Sequence, residues 1–365
     1  MDSRERVLRA INLEEPDRVP VSLFMGLYWL NWLDENTFWF FVEKTDAIVR
    51  VPLRTNGIFL TSTPRVRVFR KRYLESGERV VTEVRVVTPE GELKQVAITE
   101  RGITWVKEPF VKNEKDLEVW LSIPYEPVEA DLTNYFYYDE KIGDRGLAFL
   151  SLSDPIEHVR SLFSQRAFIL HVMRNRRLIE SLLDIIWERF CDLLTNVLER
   201  GATRMWLSGP EHLCPTFFNP KYFDLVVKYD SKVSKVIHEY GGIYYMHCHG
   251  RIRQVLEKIK AVNVDVLDTI DPPPQGDCEL EVAKRVIGDS VCLAGNVDST
   301  LMAKGTPHDI EISVKRCIYQ GAPGGGYILQ PTSGTIVDVP FENLLAFIKA
   351  GRRYGRYPLK QDETY

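Results

Sequence analysis

The chain has 365 residues, 44% of them hydrophobic, and a formal net charge of -4 at pH 7, with a pI near 6.1. That is ample for a large core, and it leaves no overall positive field to attract nucleic acid or an anionic membrane. The opening Met1-Asp2-Ser3-Arg4-Glu5-Arg6 has no apolar signal core, and the most apolar stretch, 19–33, is interrupted by Gly26 and Asn31 and falls short of the ~20 residues of a membrane span. The six cysteines form no Cys-x-x-Cys pair, so the expectation is a cytoplasmic protein with reduced thiols.

Short, β-rich apolar runs occur at 19–24, 47–52, 147–152, 203–208, 243–247, 264–269, 290–295 and 326–330. Near-continuous hydrophobicity is what a parallel strand buried on both faces requires. Apolar residues at i, i+3, i+4 spacing predict helices over 161–177, 179–200, 220–239, 252–261, 280–286, 309–320 and 341–350. Asn219 before Pro220 supplies an N-cap followed by proline at the first helical position. Strand-helix alternation to a count of eight predicts an α/β fold, a (β/α)8 TIM barrel formed as one domain over 1–365; the competing arrangement is an open doubly wound sheet.

One segment breaks the alternation. From 65 to 105 polar and apolar residues alternate, with turn signals at Ser76-Gly77 and Pro89-Glu90-Gly91, the pattern of an antiparallel meander with one wet face. It is read as a β-rich insertion, 57–110, between barrel strands 2 and 3, capping one barrel end. Its many Arg and Lys residues make a solvated face or, more sharply, a clamp for a substrate anion. Gly324-Gly325-Gly326 lacks the Gly-Lys-Ser/Thr ending of a phosphate loop and precedes a strand, so it is read as a connecting loop.

In such barrels catalytic groups come from the C-terminal ends of several strands. Those ends carry Asp154, Glu211, His247-Cys248-His249-Gly250, Asp268, Asp271, Asn296, Asp298 and Ser333. Residues i and i+2 of an extended chain share a face, so His247 and His249 can aim two imidazoles at one point, as zinc requires. Glu211 or Asp271 is the candidate third ligand; alternatively the two histidines serve as hydrogen-bonding groups in a polar pocket. Glu211 could also be a general acid or base. The aspartates are common turn and N-cap residues after strands, so each has a structural reading beside the catalytic one.

The opening 4–11, then Glu15-Pro16-Asp17-Arg18-Val19-Pro20-Val21, then His247-Cys248-His249-Gly250, Gly295-Asn296-Val297-Asp298, Gly305-Thr306-Pro307 and Val339-Pro340-Phe341-Glu342-Asn343-Leu344 together resemble the uroporphyrinogen decarboxylase superfamily. The resemblance implies a TIM barrel, a homodimer, and one of two chemistries. The first is cofactor-free decarboxylation of a tetrapyrrole in porphyrin metabolism. The second is zinc-dependent methyl transfer involving a corrinoid protein. The arginine-bearing stretch of the decarboxylases is replaced by Phe24-Met25-Gly26-Leu27-Tyr28-Trp29, with no Arg between Arg18 and Arg50, and eight carboxylates need cationic partners. Against the thiol methyltransferases, His247 matches their histidine, while His249 and Ser333 stand where they have cysteines. A His/His/carboxylate set is harder and more Lewis-acidic than a thiolate one.

The leading expectation is therefore a methyltransferase or demethylase acting on a small methylated compound or with a corrinoid partner. Its metal ligands would be His247, His249 and Glu211. Glu211, His247, Asp271 and Asp298 would be its catalytic residues, and Asn296 and Ser333 would bind the cofactor. The alternative is a decarboxylase of a tetrapyrrole or small carboxylic acid, needing no cofactor. A third is a non-catalytic barrel that binds a ligand.

Overall fold

The computed structural model describes residues 1–100, 103–334 and 338–359. Eight strands lie in one sheet in the order of the chain. They are β1 (Met25–Gly26), β2 (Ala47–Pro52), β3 (Gly146–Ser153), β4 (Arg204–Ser208), β5 (Ile243–Cys248), β6 (Val266–Thr269), β7 (Cys292–Val297) and β8 (Tyr327–Pro331). The ladders from β1 to β3 and from β4 to β8 are parallel, and helices separate most of the strands, as the hydrophobic periods predict.

The first strand is the one that departs from expectation. The run 19–24 forms no regular ladder, because Pro20 has no N–H to give and Phe24 adopts φ +56°. The segment still joins the sheet. Leu329 of β8 donates its N–H to the Pro20 carbonyl at 2.9 Å and accepts from the Ser22 N–H at 2.9 Å, while the Asp46 N–H reaches the Val21 carbonyl at 2.8 Å. A parallel bridge pairs Val21 with Leu329. The chain entering β1 therefore hydrogen-bonds to β8, the last strand of the curled sheet.

The interior of the curl is one apolar cluster. Ile48, Leu147, Phe149, Trp206, Tyr245, Val266, Cys292, Ala294 and Ile328 point into it, with Phe24, and Val7, Ala10 and Ile11 of helix Ser3–Ile11 pack against it. These side chains fill the inside of the curled parallel sheet, as in a barrel whose interior is packed and is not a pore.

Arg6, Asp17, Arg18 and Asp46 explain why the opening motif has its charges. Asp46 is wholly buried. Its carboxylate accepts from Arg6 Nη1 at 2.7 Å, Arg18 Nη1 at 2.5 Å and the Val21 N–H at 2.8 Å, and Arg6 turns its Nε to Asp17 at 2.6 Å. Four hydrogen-bonded charges thus tie the N-terminal helix to the chain entering β1 and β2.

The chain groups into two compact units. One comprises Met1–Leu53, Leu132–Leu152 and Leu198–Tyr365, and holds the eight-stranded sheet; the other comprises Arg54–Asp131 and Ser153–Val197. The second contains a four-stranded antiparallel sheet of strands Arg67–Ser76, Arg79–Thr88, Gly91–Glu100 and Ile103–Glu108, within the span 57–110; Arg101 and Gly102 lie outside the described residues. Val81, Val96 and Ile98 form its small apolar cluster. The edge strand Arg67–Ser76 is exposed along almost its whole length, and its Arg and Lys residues discourage pairing with another edge. Within the same unit Arg189 of helix Arg176–Glu199 donates to the carbonyls of Phe59 and Ile123. Among the described residues no helix is long and apolar enough to cross a membrane, and the six cysteines are free thiols.

Removing the Asp46 carboxylate would leave the half-buried Arg18 without its carboxylate partner and the buried Arg6 with Asp17 alone. Asp46→Ala is expected to lower the stability of the barrel unit by about 3–5 kcal/mol, read from the midpoint of urea unfolding at constant slope. A loss below about 1 kcal/mol, the worth of a surface pair, would show that the cluster does not hold the N-terminus.

Candidate functional site

Side chains two residues apart on a strand share a face, so the layer above the apolar filling can be read by adding two. Ile48 leads to Arg50, Tyr245 to His247, Val266 to Asp268, Ala294 to Asn296 and Ile328 to Gln330. The interior changes from apolar to polar in one step toward the C-terminal ends of the strands.

These residues are joined by hydrogen bonds. The Tyr245 hydroxyl donates to Gln330 Oε1 at 3.1 Å, Gln330 Nε2 donates to Asp268 Oδ2 at 3.1 Å, and His247 Nδ1 donates to Asp268 Oδ1 at 2.7 Å. Tyr245, Gln330 and Asp268 are fully buried and His247 is 7% exposed. The β5–β6 register sets His247 opposite Asp268. Burial pushes the Tyr245 hydroxyl far above its ordinary pKa, with the Asp268 charge adding to it, so it stays a neutral donor.

His249 has its own carboxylate. Its Nδ1 donates to Asp271 Oδ2 at 2.8 Å, and Asp271 also accepts from the Gly250 N–H at 2.7 Å and the Thr269 hydroxyl at 2.8 Å. Gly250 is required at this turn: its φ is +90°, and a Cβ there would lie 2.3 Å from Thr216 Oγ1. Between the two aspartates Ile270 holds φ +56°, an outlier for a β-branched residue. Asn296 Nδ2 donates to the Ile270 carbonyl at 2.9 Å. That turn lets one strand end serve both imidazoles, whose ring centroids are 4.5 Å apart at 85°. Burial opposes charging of His249, but the hydrogen bond and charge of Asp271, helped by Asp268 and Glu211, raise its pKa above the ordinary value. Burial likewise works against the Asp271 carboxylate, and the bonds from His249, Gly250 and Thr269 overcome it and lower its pKa.

The other expected residues are placed differently. Glu211 lies in the short 3-10 turn Pro210–Leu213 and bonds through Oε2 to the Gly209 N–H at 2.9 Å; its charge acts on His249, but the carboxylates that touch the imidazoles are those of Asp268 and Asp271. Asp298 caps helix Ser299–Lys304, its Oδ1 accepting from the Thr300 and Leu301 N–H groups at 2.6 and 3.1 Å. That is the N-cap role open to it in the sequence. Asn296 is buried and braces Ile270, with Cys317 Sγ donating to its Oδ1 at 3.4 Å. Ser333 follows β8, next to Gly334, whose carbonyl accepts from Trp29 Nε1 at 2.7 Å. Among the described residues no three His, Cys, Asp or Glu side chains converge as metal ligands. The two imidazoles nonetheless suit a metal. Each Nδ1–H is held by a carboxylate, the outer arrangement that orients histidine ligands and leaves Nε2 for the ion.

Sequence reasoning missed Arg50. On β2 its guanidinium carbon lies 4.0 Å from the Phe24 ring centroid, 4.5 Å from Trp206 and 5.1 Å from Tyr28. Its Nη2 donates to the Phe24 carbonyl at 3.4 Å and to the Tyr28 hydroxyl. Trp206 and Phe24 in turn pack on His247, with centroids 4.7 and 5.6 Å away. The period-two count from Ile48 was the available signal.

A family model described as uroporphyrinogen decarboxylase (URO-D) matches residues 163–354, just over half of the chain. The chain belongs to this family. Among solved structures, a methyltransferase from Methanosarcina mazei is similar over 97% of this chain and 99% of its own, at 16% identity and a TM-score of 0.66, a likeness of fold. The structure of D-psicose 3-epimerase with D-tagatose from Clostridium cellulolyticum H10 aligns over 62% of this chain and 93% of its own, at 14% identity, with a TM-score of only 0.32. No curated protein sequence matches.

The charged His249–Asp271 pair fixes a pH window. The raised His249 pKa contributes stability fully below its unfolded value near 6.5, lost as pH rises through the folded value; the lowered Asp271 pKa contributes above about 3.9, lost as pH falls through the folded value. Histidine proton resonances should therefore show His249 titrating above ~6.5 in metal-free protein, and Asp271→Asn should bring that midpoint down. A midpoint that does not move would show that Asp271 does not set the charge of His249.

Proposed function

We propose that this protein is a metal-dependent methyltransferase or demethylase that moves a methyl group between a small methylated compound and a corrinoid protein partner. The observation that carries the reading is the imidazole pair of β5, 4.5 Å between centroids, with each Nδ1 held by a carboxylate at 2.7 or 2.8 Å. Family membership and the methyltransferase fold of the Methanosarcina protein support it.

His247 and His249 would hold zinc through Nε2. Glu211 is the candidate third ligand; its carboxylate bonds through Oε2 to the Gly209 N–H and would have to turn from there to join the two imidazoles. A bound zinc would supply Lewis acidity at the heteroatom that gives up or takes the methyl group. The chain's own residues orient and insulate. Asp268 fixes the His247 ring and is itself fixed by Gln330. Trp206 and Phe24 cover His247 and exclude water, which strengthens every charge interaction in the site.

The test is elemental analysis and methyl transfer on the purified protein. His247→Ala and His249→Ala should each lose stoichiometric zinc and turnover while retaining the fold by circular dichroism. Asp268→Asn, which alters the group behind His247, should weaken zinc binding by roughly 10–100-fold. Full activity in chelator would overturn metal dependence, and release of carbon dioxide with no methyl transfer would move the protein to the decarboxylase side of its family.

A further inference from the structure

Arg50 has a feature that the proposed reaction does not use. A guanidinium packed inside a sheet is ordinarily paired with a carboxylate, yet the half-buried Arg50 has no acidic partner among the described residues. Its hydrogen bonds are to a carbonyl and a hydroxyl, both through Nη2. Its Nε is buried with no hydrogen-bond partner, and so is the indole Nε1 of Trp206, the residue whose ring it packs on. Two orphaned donors, one on a guanidinium, leave an energetic debt that oxygen acceptors carrying negative charge would remove.

The surroundings narrow the ligand. The rings of Phe24, Trp206 and Tyr28 surround the guanidinium, and aromatic faces stabilise the cation without neutralising it. With Nη2 engaged by Phe24 and Tyr28, the Nε–H is left to give a charge-assisted hydrogen bond to a carboxylate oxygen. Arg50 and His247 both rest on Trp206, at 4.5 and 4.7 Å from its ring, so they are no further apart than those two lengths laid end to end. A ligand held at both is small. Phe24, at φ +56°, places its ring and its carbonyl on Arg50 together, a strained backbone whose cost suits a functional position.

We infer that Arg50, with Trp206 Nε1, forms an anion subsite beside His247 that takes the carboxylate of a small organic acid. This deepens the proposed function by naming the substrate class: a methylated monocarboxylate, held by its acid end while the methyl-bearing end faces the histidines. The aromatic segment in place of the family's arginine-bearing stretch then does not abolish anion recognition; it cages an arginine supplied by β2.

Binding is tested apart from turnover, by calorimetric titration of the purified full-length chain with methoxyacetate, benzoate, the uncharged methoxyacetamide and inorganic phosphate. The expected result is saturable binding of at least one acid and none of the amide. Arg50→Gln should weaken that binding at least tenfold, Arg50→Lys less, and Trp206→Phe, which keeps the ring but removes the N–H, a few-fold. The Trp206→Phe variant keeps the test decisive if Arg50→Gln fails to fold. Unchanged affinity in Arg50→Gln, equal binding of amide and acid, preference for phosphate, or no saturable binding by either acid would each overturn the subsite. Arg50-dependent binding in a protein that transfers no methyl group would remove the proposed reaction and leave the subsite standing; methyl transfer by Arg50→Gln with unchanged KM would do the reverse.

Discussion

Asp268 is a carboxylate with no solvent exposure inside a parallel sheet, and much of the site follows from how it is satisfied. A buried charge without partners costs several kcal/mol. Here one oxygen takes the His247 Nδ1–H and the other the Gln330 amide, whose own oxygen takes the Tyr245 hydroxyl. Each member fixes the rotamer of the next across β5, β6 and β8. A substitution at Gln330 would therefore act on the His247 ring without touching it, because the Asp268 oxygen released from Gln330 must find another donor or turn away from the histidine.

The strand ends above this layer are shaped by two residues in left-handed conformation, Phe24 and Ile270, both at φ +56°. Neither is glycine, so each costs on the order of 1–3 kcal/mol. The strain at Ile270 is held by the Asn296 amide on its carbonyl and lets Asp268 and Asp271, three residues apart, serve two different histidines. Phe24, just before β1, sets its carbonyl as an acceptor for Arg50. Regular strands would give better hydrogen-bond ladders and a poorer site.

The contrast between what the sequence makes legible and what it hides has the same origin. Strand-helix alternation and the runs from 47–52 to 326–330 are readable because burial of both sheet faces demands continuous apolar residues. The His-x-His pair is readable because period two places both rings on one side. The partners are harder. Glu211 follows a sharp turn after β4, yet its carboxylate folds back on the Gly209 N–H, a local bond that spacing does not disclose. Asp298 and Asp271 look alike as post-strand aspartates, and only the fold separates the helix cap from the histidine partner. Arg50 is hidden because an arginine within an apolar run looks like an interruption, although its place two residues after Ile48 puts it in the polar layer.

The two imidazoles are similar in chemistry and different in setting, and that difference divides their work. His247 is 7% exposed and lies against Trp206 and Phe24, tied into a network of buried neutral donors. The His249 side chain is 43% exposed and has a raised pKa supported by three carboxylates. A proton can reach and leave His249 through solvent, whereas reorienting His247 would disturb Asp268 and everything bonded to it. On the proposed reading, a metal held by both rings would compete with the proton that Asp271 favours on His249, and His247 would supply the fixed point. Asp271 stabilises the His249 imidazolium, and it would hold the Nδ1–H of a neutral, metal-holding ring in the same way.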